Sequence, residues 1–269
     1  MKSGLKPIEK RKTNYSFHRT FGAVSPEQFP DYYNVDAGLG FPNQNAEGYP
    51  NGCTGYTQSR LCSDEDGVFY KPSFTYEKTL EIQGIANGEP CSIYDSLKST
   101  IVYGVQRDTE TTDEEALTHR RGQYYEIQVK PGMDWFDSIR SALWVNRGSR
   151  RSVSIGTPWF FEWGHPTKGI VMEPFSDWRE AYWHNWQVVG WKTIGGKPYL
   201  IGKTWQGSMY GDEGYAYFSR ETINKVMKIQ GTGAFTLAQW DGTIQTVRWG
   251  LIYTLQVQLG YLMRKLVGK

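Results

Sequence analysis

The chain has no run of 18 apolar residues among its 269, so it offers no membrane-spanning helix. Residues 1–17 are polar and basic with no apolar stretch behind them, which does not match a secretory signal. Charge of neither sign prevails: 30 Lys and Arg face 28 Asp and Glu, for a net charge of +2. That balance argues against nucleic acid as the main partner. Cysteine is scarce, with Cys53, Cys62 and Cys91 only, an odd, low count that does not describe a disulfide framework. If one pair bridges, Cys62–Cys91 is the natural one, leaving Cys53 free. Histidine is scarcer relative to need, with His18, His119, His165 and His184 as the four candidate bases. The acidic run at 64–67 lacks the alternating ligands and distal Glu of a calcium loop and reads as the end of a helix. No metal and no cofactor is expected. The lack of a signal fits a cytoplasmic or particle-associated protein.

What is present is an ordinary globular composition, 39% hydrophobic and 22% charged, with an aromatic share of 15% that includes 11 Trp and 18 Tyr. Such rings fill a core or line a groove, and composition does not separate the two.

Residues 1–23 read as a loose N-terminal arm, and 24–52, rich in Pro, Gly, Asn and Asp, as an extended looping segment. A short helix is expected from Cys53, ending at 64–67. Helical spacing of Ile93, Leu97 and Ile101 predicts a helix over 91–103. Asp134 fits the N-cap of a helix over 134–146. From residue 152 the character changes. Short runs at 152–161, 186–194, 198–205 and 214–220 are β-branched and aromatic, and Gly195-Gly196 suits a hairpin turn. Helices first and an antiparallel sheet second describe an α+β protein of two subdomains, about 24–130 and 150–230. Residues 231–269 are expected as a C-terminal extension. Within it, Leu251, Leu255, Leu259, Leu262 and Leu266 mark an amphipathic helix over 247–267 that docks on its own domain or on a partner.

Two residues carry candidate chemistry. Cys53, in Gly52-Cys53-Thr54-Gly55-Tyr56, stands at a helix start, where the helix dipole lowers a thiol pKa and backbone N–H groups can face an oxyanion. A lone Cys there fits a buried structural residue equally. His184 opens an apolar strand, where a ring is held firmly, as a core histidine also is.

Taken together, the segments resemble the papain-like cysteine peptidases. HNWQVVGW, from His184, is similar to that family's strand of His, apolar residues, Gly and an aromatic. PYLIGKTWQGSMYGDEGYAYFSR is similar to its "Asn-Ser-Trp-Gly" segment and the Gly-Tyr that follows. FPNQ before GCTGYT looks like its Gln ahead of the Cys, and the likeness spans about residues 30–228. It implies a papain-like two-subdomain fold and a cysteine peptidase acting on peptide or protein substrates. By the same likeness Cys53 is the nucleophile and His184 the general base. Gln44 is the oxyanion-hole donor, preferred to Glu47 because a carboxylate would repel an oxyanion. Trp205 shields the histidine. The position of the family's His-orienting Asn, counted back from Trp205, is Lys203, which has no acceptor. Gln206 or a backbone carbonyl is then expected to orient the ring. Trp159, Trp183 and Gly55 are assigned to the substrate groove. The competing readings are an inactive papain-like domain kept as a structural or binding part, such as a component of a viral or phage particle, and another acyl-transfer enzyme on the same fold.

Overall fold

A computed structural model describes residues 5–9, 16–180 and 182–239. Its helices are α1 (Phe17–Phe21), α2 (Cys53–Asp66), α3 (Pro72–Gln83), α4 (Ile93–Val102), α5 (Asp113–Leu117), α6 (Trp135–Val145) and α7 (Arg220–Val226). Its strands are β1 (Tyr32–Asn34), β2 (Arg121–Ile127), β3 (Val153–Trp159), β4 (Ile170–Val171), β5 (Tyr182–Ile194), β6 (Lys197–Lys203), β7 (Tyr215–Ser219) and β8 (Gly233–Gln239). The mixed helix-and-sheet class is as expected. The helix placed at 247–267 lies outside the described residues. Among those described, no helix is long and apolar enough to cross a membrane.

The strands form one sheet in the order β2-β8-β3-β5-β6-β7-β4, with β1 pairing β5 off that path. β5 is the hub. It pairs β3 over 182–188, β1 over 190–192 and β6 over 187–194. Gly195 and Gly196 both take positive φ, 57° and 76°, in the β5–β6 turn, the backbone a tight hairpin needs. β8 departs from expectation. Residues 233–239 were assigned to an extension beyond the domain, yet they run between β2 and β3 inside the sheet. The reason is local: GAFTLAQ alternates apolar and small or polar residues and buries Ala234, Phe235 and Leu237.

α2 is buried along almost its whole length although its sequence is largely polar. Several of its polar side chains are matched to the rest of the fold, whereas Thr54 Oγ1, Gln58 Oε1 and two Arg60 nitrogens are buried without a hydrogen-bond partner among the described residues. Thr57 donates to the Asn185 carbonyl at 3.0 Å, Gln58 to the Asn185 side chain at 3.0 Å, and Ser59 to the Tyr70 carbonyl at 3.0 Å. Such pairing removes the penalty of burying unpaired polar groups. α6 begins as its sequence suggests, with the Asp134 carboxylate accepting from the Asp137 N–H at 2.9 Å. α3 escapes the periodicity reading because it is short and apolar on several sides. Its signals are Pro72 in the first turn and Gly84 at the left-handed C-cap.

Gly55 was placed in the groove. It instead sits where α2 crosses α3, and a Cβ there would stand 2.5 Å from the Tyr76 Cα. The contact is with backbone, so the helices would have to separate. Gly55→Ala should cost about 1–3 kcal/mol by overpacking, read as a lower denaturant midpoint.

The N-terminal arm is also not loose where it is described. Leu5 and Ile8 are 1% and 8% exposed and join the core that contains Cys53, Tyr94 and Phe235. The three cysteines are free and buried, so the Cys62–Cys91 bridge is not formed.

Candidate active site

Cys53 is the first residue of α2 and is fully buried. The start of α2 packs on β5 at Asn185, whose carbonyl accepts from the Thr57 hydroxyl at 3.0 Å. One residue earlier on β5 is His184. Its Nε2 shares a hydrogen bond of 2.8 Å with the Thr204 hydroxyl. A proton held on Nε2 by that hydroxyl leaves Nδ1 as the basic nitrogen. Trp159 and Trp186 bracket the imidazole edge-on, with ring centroids at 4.8 and 5.2 Å, and stack on each other at 4.8 Å.

Burial pushes the Cys53 thiol up to about 12, helped by the neighbouring Cys91 and opposed by the N–H groups of Asn185, Thr54 and Cys53 itself. Burial alone pushes His184 down to about 3. Both shifts favour a neutral thiol beside a neutral ring. The helix dipole does not overcome desolvation while the site stays dry.

The expected orienting residue, Lys203, is elsewhere. Its Nζ lies 2.8 Å from both oxygens of Asp36 and 4.5 Å from the centre of the Phe41 ring, and it is fully buried. Tyr215 adds a hydroxyl to Asp36 at 2.6 Å. Burial opposes ionisation of Asp36, but Lys203, Tyr215 and the Gly38 N–H together hold its pKa below the usual value. The reason for the misplacement is strand alternation. Lys203 pairs with Gln187, which is three residues from His184 and so faces the other side of the sheet, where it reaches Asp64. The next residue, Thr204, faces His184. The register of β5 and β6 is the signal that finds it; counting back from Trp205 does not.

The Gln206 backbone carbonyl accepts from the Asn43 side chain at 3.3 Å, and the partner of the ring is Thr204. Trp205 is buried, with its indole N–H on the Thr57 hydroxyl at 2.8 Å and its ring near Tyr56. Gln44 is buried in the turn ahead of α2. Its backbone N–H bonds the Trp205 carbonyl at 3.0 Å and its side-chain amide donates to the Pro50 carbonyl at 2.8 Å. The second N–H of that amide is not used by this bond. Glu47 is engaged by the Tyr56 hydroxyl at 2.5 Å. Trp159 is a wall of the histidine rather than an open groove residue. Trp183 is half-buried and packs against Gly231. Asn185 and Thr204 were not singled out from the sequence. Among the described residues, no group of three or more His, Cys, Asp or Glu is arranged to hold a metal.

Solved structures with this architecture are cysteine proteases. Xylellain from Xylella fastidiosa superposes with a TM-score of 0.67 at 14% identity, covering 89% of this chain and 97% of its own. The fold is that of the papain-like cysteine proteases. Bromelain from Ananas comosus, solved with the E64 inhibitor, gives a TM-score of 0.57 at 14% identity over 79% of this chain and all of its own. Digestive procathepsin L2 of Tenebrio molitor gives 0.61 at 14% identity over 87% and 77%. No protein-family model matches the chain, and no curated protein matches it in sequence.

A ring whose pKa is lowered on folding stabilises the protein in its neutral form. For His184 that contribution is complete above the unfolded value near 6.5 and is lost as pH falls toward about 3. Denaturant titrations from pH 8 to 4 should show the wild type losing up to about 1.4 kcal/mol per pH unit more than His184→Gln below that value.

Proposed function

We propose that the protein is a cysteine peptidase that hydrolyses peptide bonds through Cys53 and His184. The observation that carries this reading is the packing of α2, which begins at Cys53, on β5 at Asn185, the residue that follows a His184 fixed by Thr204. When the site is hydrated, Nδ1 of His184 takes the thiol proton and the thiolate attacks the substrate carbonyl carbon. The resulting oxyanion is met by the Cys53 backbone N–H and the free N–H of the Gln44 amide. His184 then gives its proton to the leaving amine. Water, deprotonated by the same ring, hydrolyses the thioester and restores the thiol. Thr204 acts through His184 as a positioning residue, the role expected of Gln206 or a backbone carbonyl. Trp159, Trp186 and Trp205 keep bulk water from the ring.

The fully buried, neutral thiol favours a second reading, an inactive papain-like domain kept for binding. Labelling Cys53 with an excess of an epoxysuccinyl peptide from pH 4 to 9 separates the two. Labelling at acidic pH that collapses in His184→Ala supports the peptidase. A rate that rises only near the ordinary thiol pKa of about 8.5, and ignores the mutation, leaves the binding domain. Thr204→Val should lower kcat/KM about tenfold, the loss of one hydrogen bond of about 1.4 kcal/mol, and shift the acid limb of the pH profile. Thr204→Asn, which keeps an acceptor, should restore most of the rate.

A further inference from the structure

Lys203, at the end of β6, and Asp36, just after β1, form the most enclosed ion pair among the described residues, with side chains 0% and 3% exposed. Nζ lies 2.8 Å from Oδ1 and 2.8 Å from Oδ2, so the carboxyl carbon between them is the next atom it can reach. Both oxygens are held in place. Tyr215 donates its hydroxyl to Oδ2 at 2.6 Å, and the Gly38 N–H donates to Oδ1 at 3.0 Å. The Phe41 ring lies over the amine, its centre 4.5 Å from Nζ. Gly214 leaves room for that ring, since a Cβ there would stand 2.4 Å from it.

A second carboxyl is built into the same cluster. Asp64 on α2 accepts from the N–H of Ala37, next to Asp36, at 3.1 Å. It also accepts from the side chain of Gln187, the register partner of Lys203, at 2.6 Å. Arg60, one turn earlier on α2, donates to the Gly40 carbonyl at 3.3 Å and completes the charges of the cluster. Burial pushes the Asp64 carboxyl up to about 6. Burial also holds the Lys203 amine below its usual value, with Asp64 and Asp36 acting against that shift and Arg60 with it. An amine and a carboxyl kept at this distance have already lost the freedom that a bimolecular condensation must give up. Two enclosed charges also carry a desolvation penalty that their attraction repays only in part, and joining them as a neutral amide removes it.

We propose that Lys203 and Asp36 condense to an intramolecular isopeptide bond, with Asp64 as the proton carrier. The ammonium gives one proton to Oδ1, leaving a neutral amine beside a carboxylic acid. The amine lone pair forms the N–C bond to Cγ, and the carbonyl electron pair moves onto Oδ2, where the Tyr215 hydroxyl meets it. Asp64 takes a second proton from the nitrogen and passes it to the Oδ1 hydroxyl. The C–O bond breaks, water leaves, and Oδ2 returns to a carbonyl. Asp64 ends as it began, and nothing is oxidised or reduced. The bond joins positions 167 apart and ties the segment that delivers Gln44 to β6.

Mass spectrometry of the fully denatured protein tests this, because denaturant separates an ion pair and leaves an amide intact. The wild type should weigh one water less than its sequence. Its tryptic digest should contain residues 20–60 joined to 193–220, with Lys203 uncleaved. Asp36→Asn should join with loss of ammonia in place of water, the signature of attack at that carbon. Lys203→Met should carry its full sequence mass. Asp64→Asn should slow the joining at least about a hundredfold, the scale of general acid–base catalysis. A wild type of full sequence mass, both freshly purified and after prolonged incubation in the folded state, overturns the proposal and leaves an ion pair only. Joining at an unchanged rate in Asp64→Asn overturns the role of Asp64. Should the variants not fold, the wild-type mass and digest decide.

Discussion

The contact between a polar helix and a buried strand governs the rest of this molecule. α2 presents Thr57 and Gln58 to Asn185, and Asn185 in turn bonds Ser154 and the Ile155 carbonyl on β3. Three elements are thereby locked in one register by hydrogen bonds whose geometry tolerates no slip. A one-residue shift of β5 would turn Asn185 away and leave the Gln58 amide with Ser154 as its one remaining partner among the described residues. The same lock sets α2, which begins at Cys53, against β5 at the residue that follows His184. The candidate site is thus a by-product of the interaction that holds helix to sheet.

Further along the same helix a second polar centre does a different task. Arg60 reaches the Gly40 carbonyl, Asp64 accepts from the Ala37 N–H and from Gln187, and Lys203 grips Asp36. Asp64 is pushed up to about 6 by burial, with Lys203 acting against that shift and Asp36 adding to it. These groups tie the looping segment between β1 and α2 to both helix and sheet. That segment delivers Gln44 to the turn before Cys53. Charge buried along α2 thus holds the segment that carries Gln44.

Much of this was legible in the sequence, and the exceptions have physical causes. The β5–β6–β7 region could be read because strand patterns and glycine turns are local signals, and Asp134 because a cap is too. α2 could be started at Cys53 but not recognised as the central helix, since its buried face is polar and carries no apolar stripe. Thr204 was missed because its place opposite His184 follows from the pairing of Lys203 with Gln187 rather than from distance to Trp205. Gly55 and Gly156 look alike as letters. One permits a helix crossing and the other makes room for Leu5 and Ile8, a difference that only tertiary contact creates. The arm's burial was invisible for the same reason: Leu5 and Ile8 are two apolar residues in a basic stretch, and what they fit is built from residues more than eighty positions away.

The insertion of β8 between β2 and β3 bears on how the chain comes into being. A ribosome delivers β2 and β3 long before residues 233–239, and the two strands have no shared partner until then. Among the described residues β8 is the last strand, and Gly231 and Gly233 arrive with it. A nascent chain therefore holds β2 and β3 apart until synthesis has passed β8. Pairing across so long a separation in sequence is slow, and it ties closure of this sheet to the arrival of residues 233–239.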